Sequence, residues 1–402
     1  MNTSQSNRSV CRKDLFLLPE NTVYLDGNSL GALPKAVPER LNEMLKAEWG
    51  QELIGGWNVA GWMAQPARIG NLVAQLIGAP EDSVVMGDTL SIKVYQALAA
   101  AIEMRPARKV ILSDSGNFPT DLYMAQGLID SLKQGHQLKV LPSDQIPDAI
   151  DDNVAVVMLT QVDYKTGKKY DMRTITSLAH DAGAVMIWDL AHSAGAIHVD
   201  IAASQCEFAV GCSYKYLNGG PGAPAFIYVR PDLIDSIKPA LSGWLGHEAP
   251  FAFDLTYRPS PGIERMRVGT PSVLQMTSLE TALQVWDGIT MHEIQQASTE
   301  LSELFILGVE QSCPQLTLIS PRDASLRGSQ VSFSFEHGYA AIQALIAHGV
   351  VGDFRAPNVM RFGFTPLYID KADINLAVLT IVEVINNHLW DKPEYKLANR
   401  VT

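Results

Sequence analysis

Short apolar runs rich in β-branched residues alternate with stretches of helical periodicity through the middle of the chain. Seven runs read as strands: 83–86, 109–113, 138–141, 154–160, 184–188, 208–212 and 225–229. Those between 110 and 188 are apolar at successive positions, the pattern of parallel strands covered on both faces. Helical spacing over 91–104 and 173–182 fills gaps between them, which predicts an α/β architecture with a mostly parallel seven-stranded sheet. Run 225–229 follows 208–212 across NGGPGAP, too short for a crossover helix, so an antiparallel edge strand is expected there. After about residue 272 the pattern changes to a long helix from 273 to 297 or beyond, strands over 316–319 and 330–335, and a helix over 338–348. This predicts a smaller α+β C-terminal domain over 276–402, a large domain over 51–275, and an N-terminal segment over 1–50 that packs on the small domain. Only the first 13 or so residues and the tail after Trp390 read as loosely held.

Length supports more than one unit, since 402 residues and 43.9 kDa exceed what one hydrophobic core usually organises. Charged residues are 18% of the chain, against about 25% in typical globular domains, which points to surface hidden in an oligomer interface. With 31 Lys+Arg against 43 Asp+Glu the net charge is −12, and no basic patch is present, so nucleic acid is excluded as a partner. The longest apolar runs, 97–102 and 154–159, fall far short of the roughly 20 residues that cross a bilayer. No membrane association is expected, and the polar first residues, without an apolar signal core, predict a cytoplasmic protein. Cys11, Cys206, Cys212 and Cys313 form neither a disulfide framework nor a CxxC pair. His180, His192, His198 and His247 lack metal-ligand spacing, so no metal is expected.

The strand ends carry the chemistry. No GxGxxG follows a strand and no GxxxxGK[ST] exists, which disfavours a dinucleotide fold. VVMGDTLSIKVYQALAAAI places a strand, a polar turn and an apolar helix in succession. The free N–H groups at such a helix start suit an anion, although Asp88 or Thr89 could equally be an ordinary N-cap. AVMIWDLAHSAG ends a buried strand on Asp189, either a ligand-crevice carboxylate or a cap, with His192 three residues on. FAVGCSYKYLNGGPG ends another strand and presents Lys215 between Tyr214 and Tyr216. Aromatic flanks desolvate the amine and glycines admit a close neighbour, which favours nucleophilic use over a solvated surface role. An anion-binding helix start, a strand-end carboxylate and a lysine are together the requirements of pyridoxal 5′-phosphate: donors for phosphate, a charge partner for the ring nitrogen and an amine for the aldehyde.

With these residues in place the chain resembles fold-type-I pyridoxal-phosphate enzymes, of the class V aminotransferase-like kind, and more narrowly the kynureninase family. The resemblance spans nearly the whole chain: YLDGNSLG at 24–31, the GW pairs at 56–62, SDSGNFPTDLY at 113–123, DYKTG at 163–167, WDLAHSAGA at 188–196, CSYKYLNGGPG at 212–222, GWLGH at 243–247 and MRFGFTPLY at 360–368. It implies pyridoxal-phosphate-dependent hydrolysis of L-kynurenine, and more weakly of 3-hydroxy-L-kynurenine, to anthranilate and L-alanine in tryptophan catabolism. It further implies that Lys215 is the Schiff-base lysine and removes the α-proton, that Asp189 pairs with the ring nitrogen, and that Tyr214 reaches the phosphate and relays protons at the substrate carbonyl. Phe118 would stack on the cofactor, with Asp121 and His192 beside it and Thr89 and Leu90 at its phosphate. Trp244 and Thr270 would reach the phosphate region from the partner of a homodimer. Arg361 would clamp the substrate α-carboxylate, and Trp57, with Trp62 as its competitor, would line the ring pocket. That pocket, with bulk from Trp57 and one hydroxyl from Thr270, leads us to expect a preference for L-kynurenine over its 3-hydroxy form. The rival on the same fold is a cysteine desulfurase or another class V relative, but Cys212 on the sheet and Cys313 ahead of a strand do not suit a nucleophile on a mobile loop. A catalytically dead interaction protein is a further rival, disfavoured by the intact Lys215 and Asp189.

Overall fold

In a computed structural model describing residues 10–397, seven strands form the main sheet: β1 (Val84–Met86), β2 (Val110–Asp114), β3 (Gln137–Leu141), β4 (Val154–Thr160), β5 (Val185–Asp189), β6 (Phe208–Gly211) and β7 (Phe226–Val229). Their order across the sheet is β1-β7-β6-β5-β4-β2-β3. Neighbours from β6 to β3 are parallel, and β7 alone is reversed against both β6 and β1. Every residue of β4 and β5 is buried, and the period of two sorts them between two cores. Val156, Met158, Val185 and Ile187 face the core covered by helices α2 (Leu90–Met104) and α3 (Pro119–Leu132). Val157, Leu159, Met186 and Trp188 face the opposite core, which takes in helices α1 (Gln65–Leu76) and α4 (Met172–Asp181). Trp188 is fully buried and its indole N–H donates to Thr176 Oγ1 at 3.1 Å, so the residue before Asp189 is fixed by packing and by a hydrogen bond. The strands therefore end together, and Asp189 and the loop carrying Lys215 lie at the same carboxyl edge.

Three expectations need correction. The strand at 225–229 is antiparallel but not an edge, because β1 docks outside it and covers its outer hydrogen-bonding groups. The edge on the other side is β3, where Gln137, Lys139 and Val140 are exposed, so this run is not covered on both faces. The long helix expected from 273 is two helices, α5 (Val273–Ala282) and α6 (Met291–Ser312). Gly288 takes a left-handed turn at φ +70° between them. Thr290 then opens α6 with a reciprocal capping box to Glu293, a start signal that helical periodicity alone does not reveal.

A second sheet follows: β8 (Thr317–Leu318), β9 (Gln330–Ser334), β10 (Asp353–Arg355) and β11 (Val359–Gly363), ordered β8-β9-β11-β10 and antiparallel throughout. Helices α6, α7 (Gly338–Ala347) and α8 (Lys371–Asn386) complete this part, with Phe305 of α6 packed on Phe333, Phe362 and Phe364. The start of the chain lies against it, since Val23 and Val350 are register partners in a parallel pair and Asp26 bridges to Gly363. The expectation of a loose beginning lies partly outside the described residues, at 1–9. Within them, the Arg12 guanidinium donates to the carbonyls of Val285 and Asp287 at 2.9 and 2.6 Å, so that part is tied down. At the other end the Tyr339 hydroxyl donates to the Leu397 carbonyl at 2.9 Å. Among the described residues no helix is long and apolar enough to cross a membrane.

Candidate active site

At the carboxyl edge of the main sheet a cavity of about 220 Å³ is lined by Leu90, Phe118, Asp121, Asp189, His192 and Lys215, with Tyr214 and Tyr164 at its side. Helix α2 starts there. Asp88 sits at φ +55° and its carboxylate turns to the buried Lys93 amine at 3.4 Å. Thr89 occupies the N-cap position in extended backbone and its side chain makes no capping hydrogen bond. The capping alternative therefore fails for both residues, and the first-turn N–H groups of a 15-residue helix are left without a side-chain acceptor.

Asp189 closes β5 and is buried. Its Oδ1 accepts the Ala191 N–H at 2.8 Å and its Oδ2 lies 3.4 Å from Thr160 Oγ1. No regular helix follows until Ile201, so Asp189 caps none. Burial pushes its carboxyl above the usual carboxylate range, opposed by the Ala191 N–H and the Lys215 charge. Asp121, in the first turn of α3, is driven well above that range by burial and by the negative charge of Asp189. Both carboxyls of this pair are thus pushed toward the protonated form, with the charge of Asp189 adding to the effect on Asp121. One oxygen of Asp121, Oδ2, is buried with no hydrogen-bond partner in the protein.

Lys215 Nζ lies 2.8 Å from His192 Nε2, and 5.9 and 5.8 Å from the ring centres of Phe118 and Tyr214. Burial, then the charge of Lys215, holds His192 well below its ordinary value, so the imidazole is neutral and its Nε2 accepts from the lysine. Its Nδ1 is buried without a partner. Gly31 packs on this loop: its N–H donates to the Tyr214 carbonyl at 2.8 Å, and a Cβ there would lie 2.3 Å from the Lys215 carbonyl oxygen. Tyr214 stays a neutral phenol because burial and the neighbouring Cys212 raise it. Tyr216 does not flank the amine as expected. Its hydroxyl donates to the Ser329 carbonyl at 2.8 Å, on the small-sheet side.

Arg361 reaches the same region from β11 and is buried. Asp353 is its register partner on β10, and Arg361 Nε donates to Asp353 Oδ1 at 2.6 Å. Its NH1 donates to the carbonyl of Tyr164, whose ring sits edge-on to Phe118 with centres 5.2 Å apart. Residues unassigned in the sequence thus support the site. Tyr164 carries both contacts, Asn117 Oδ1 accepts the Phe118 N–H at 2.7 Å, and Ser29 and Asp353 hold Arg361. The first three lie inside quoted motifs, where a side chain matched to no role still had a signal. Asp353 had none.

Five expected site residues do not line this cavity, and of these Arg361 reaches it through its contact with Tyr164. Thr89 and Thr270 line a separate space of about 230 Å³ that also takes in Gly87 and Asp88 ahead of α2. Trp244 is exposed and edge-on to Phe251, and Trp57 is edge-on to the buried Trp62. Neither Trp57 nor Trp62 lines the cavity of its own chain.

The arrangement can hold a planar, anionic, carbonyl-bearing ring: N–H donors at one end, a carboxylate at the other, an amine and an aromatic face between. Comparison with known proteins gives the same direction. A family model described as the kynureninase C-terminal domain matches residues 294–381. The chain is 47% identical over 394 residues to a kynureninase of Pseudomonas fluorescens, covering 96% of this chain and 95% of that protein. Among solved structures it resembles a cysteine desulfurase of Thermococcus onnurineus NA1, with TM-score 0.78, 18% identity and coverage of 94% and 98%. It also resembles a C-DES variant with glycine covalently linked to its PLP cofactor, with TM-score 0.78, 17% identity and coverage of 90% and 97%. At those identities the two structures speak for the fold alone.

Proposed function

The chain belongs to the kynureninase family, and from that premise we propose that it hydrolyses L-kynurenine to anthranilate and L-alanine with pyridoxal 5′-phosphate bound at the carboxyl edge of the main sheet. The observation that carries this reading is the convergence of Lys215, His192, Asp189 and Asp121 beside the uncapped start of α2. The residues fit the cofactor on their own evidence. Asp121 Oδ2 and His192 Nδ1 are buried polar atoms with no protein partner, and the Phe118 ring is 42% exposed where a flat ring would cover it.

When bound, pyridoxal phosphate supplies an aldehyde that captures the substrate amine and a ring that draws electrons from the bonds being broken. Asp189 would place negative charge at the ring nitrogen and favour its protonated form. The first turn of α2, with Thr89 and Leu90, would hold the phosphate through backbone donors. Phe118 would offer its face to the ring, and Asp121 and His192 would hold it from beside. Arg361 would receive the substrate α-carboxylate on the NH1 hydrogen left free once Asp353, Ser29 and the Tyr164 carbonyl have oriented the guanidinium. Lys215 removes the α-proton, with neutral His192 accepting from its amine. Tyr214, neutral and within the cavity, would relay a proton to the side-chain carbonyl oxygen as water adds to the carbonyl carbon Cγ, after which the Cβ–Cγ bond breaks.

A homodimer completes the site in this reading. Trp244 and Thr270 reach the partner's phosphate region, and Trp57 lines the partner's ring pocket, which accounts for the exposure of Trp244 and Thr270 and for the absence of all three from the lining of their own cavity. Exposed apolar side chains at Trp49, Ile54, Phe251, Phe253 and Leu255 support a covered face. The low charge content supports it too, and the same ring pocket favours L-kynurenine over the 3-hydroxy form. We place the enzyme in the cytoplasm, with a large domain over 51–275 and a small one over 276–402. A desulfurase reading is weaker: burial raises the Cys212 thiol, and pushes that of Cys313 up to about 11, so neither offers a thiolate. The deciding experiment adds L-kynurenine or L-cysteine to the cofactor-loaded protein. Anthranilate fluorescence from the first and no sulfide from the second is expected; the opposite pattern overturns the reading.

A further inference from the structure

Behind Arg361 lies a compact cluster of charge. Asp353 Oδ2 accepts from Arg361 NH2, from Arg355 NH2 at 2.9 Å and from the Ser29 hydroxyl at 2.6 Å, while Oδ1 accepts from Arg361 Nε. Ser29 Oγ in turn accepts from Arg361 NH2 at 3.1 Å. Asp26, beside Ser29 on the same loop, is served differently: its Oδ1 is buried with no hydrogen-bond partner. The groups facing Asp26 are Asp353 and Arg355 on β10, Arg361 on β11, Ser29 and Tyr24 on its own segment, Tyr216 beyond β6, and Tyr368 beyond β11.

The charges of the cluster cancel: two guanidiniums against the carboxylates of Asp26 and Asp353. A substrate carboxylate on Arg361 adds a third negative charge in a buried place, where an uncompensated charge is costly. Asp353 already accepts four hydrogen bonds, guanidinium groups do not give up protons in proteins, and burial raises the three tyrosines, which are neutral phenols. Asp26, with a bare oxygen, is the group that can change.

We propose that Asp26 takes up a proton when the substrate α-carboxylate docks on Arg361, so that the site binds an amino acid and a proton together. This rests on the reading of Arg361 given above. The surroundings favour it, since burial and the negative charge of Asp353 push Asp26 up to about 7, against Ser29, Arg361 and Arg355. Asp26 is then partly ionised near neutrality and its response to a new negative neighbour is measurable.

The test is calorimetry on the cofactor-loaded protein at pH 7.5, in buffers of different ionisation enthalpy, with L-alanine and with ethylamine. Both ligands carry an amine and only the first a carboxylate. A group titrating near 7 is about one quarter protonated at pH 7.5, so L-alanine should take up about 0.7 proton per site more than ethylamine. That difference should vanish in Asp26→Asn, and the wild-type comparison stands whether or not the variant folds. Tighter binding of L-alanine with no extra proton overturns this proposal and leaves Arg361 as the carboxylate site. Equal affinity for the two ligands removes the Arg361 reading and this proposal with it. Extra uptake that persists in Asp26→Asn overturns the assignment to Asp26.

Discussion

Replacing Asp189 by Asn separates its charge from its shape. Asn Oδ1 can still accept the Ala191 N–H, a 2.8 Å bond, and the new amide can donate to Thr160 Oγ1, whose own hydrogen is engaged by Asn117 Oδ1. The fold should therefore survive. Because burial raises the Asp189 carboxyl, the folded state disfavours its ionised form, and that cost is present at pH values above the ordinary carboxylate range. Removing the charge lifts the cost, so the melting temperature of the cofactor-free variant at pH 7 should equal or exceed that of the wild type. Catalysis should respond in the opposite direction. Two unit charges about 4 Å apart interact by about 4 kcal/mol at an effective dielectric constant near 20, and losing that at the ring nitrogen corresponds to roughly a thousandfold in kcat. Anthranilate fluorescence and thermal unfolding by circular dichroism measure the two effects on one preparation. Near-normal turnover would refute the electrostatic role, and an unfolded variant would make Asp189 a structural residue.

Gly31→Ala sets a Cβ 2.3 Å from the Lys215 carbonyl oxygen and 2.7 Å from Asn218 Cα, both backbone atoms, so the loop must shift. Activity should drop at least tenfold while far-ultraviolet circular dichroism is unchanged, and full activity would show that the loop has slack. Sedimentation should give a dimer, and Trp244→Ala should weaken cofactor affinity, read by titration of the absorbance of the bound cofactor; a fully active monomer would exclude a shared site. For substrate choice, an unsatisfied buried hydroxyl costs roughly 1–3 kcal/mol, or about 5–150-fold. The ratio of kcat/KM for L-kynurenine and 3-hydroxy-L-kynurenine should fall in that range, and a ratio of one or below would overturn the pocket built from Trp57 and Thr270.

How far the sequence led depended on where the determining contacts lie. Strand runs such as 154–160 were legible because two covering layers demand apolar residues at every position, and Asp189 and Lys215 stood out as polar groups at the ends of such runs. The place of 225–229 inside the sheet was not legible, since it depends on a three-residue strand docking from some 140 positions away. Gly288 ended a helix whose apolar spacing continued past it. Tyr216 looked like a neighbour of the lysine amine because adjacency in sequence does not say where each side chain of a turn points, and residues 213–217 form bends and a turn. Asp353 drew no attention because its meaning comes from cross-strand pairing with Arg361 and from Ser29, which is 324 positions away. Trp57 and Trp244 do not line the cavity at Lys215 and Thr270 lines a separate one, so the roles expected of them rest on the proposed dimer.

Lys215 is the amine on which the proposed function depends. Borohydride reduction of the protein loaded with pyridoxal phosphate, followed by proteolysis and mass spectrometry, fixes the cofactor to whichever lysine carries it. Modification is expected at Lys215 alone, with its 2.8 Å neighbour His192 unmodified. A modified Lys93, Lys165 or Lys168, with Lys215 untouched, would contradict it.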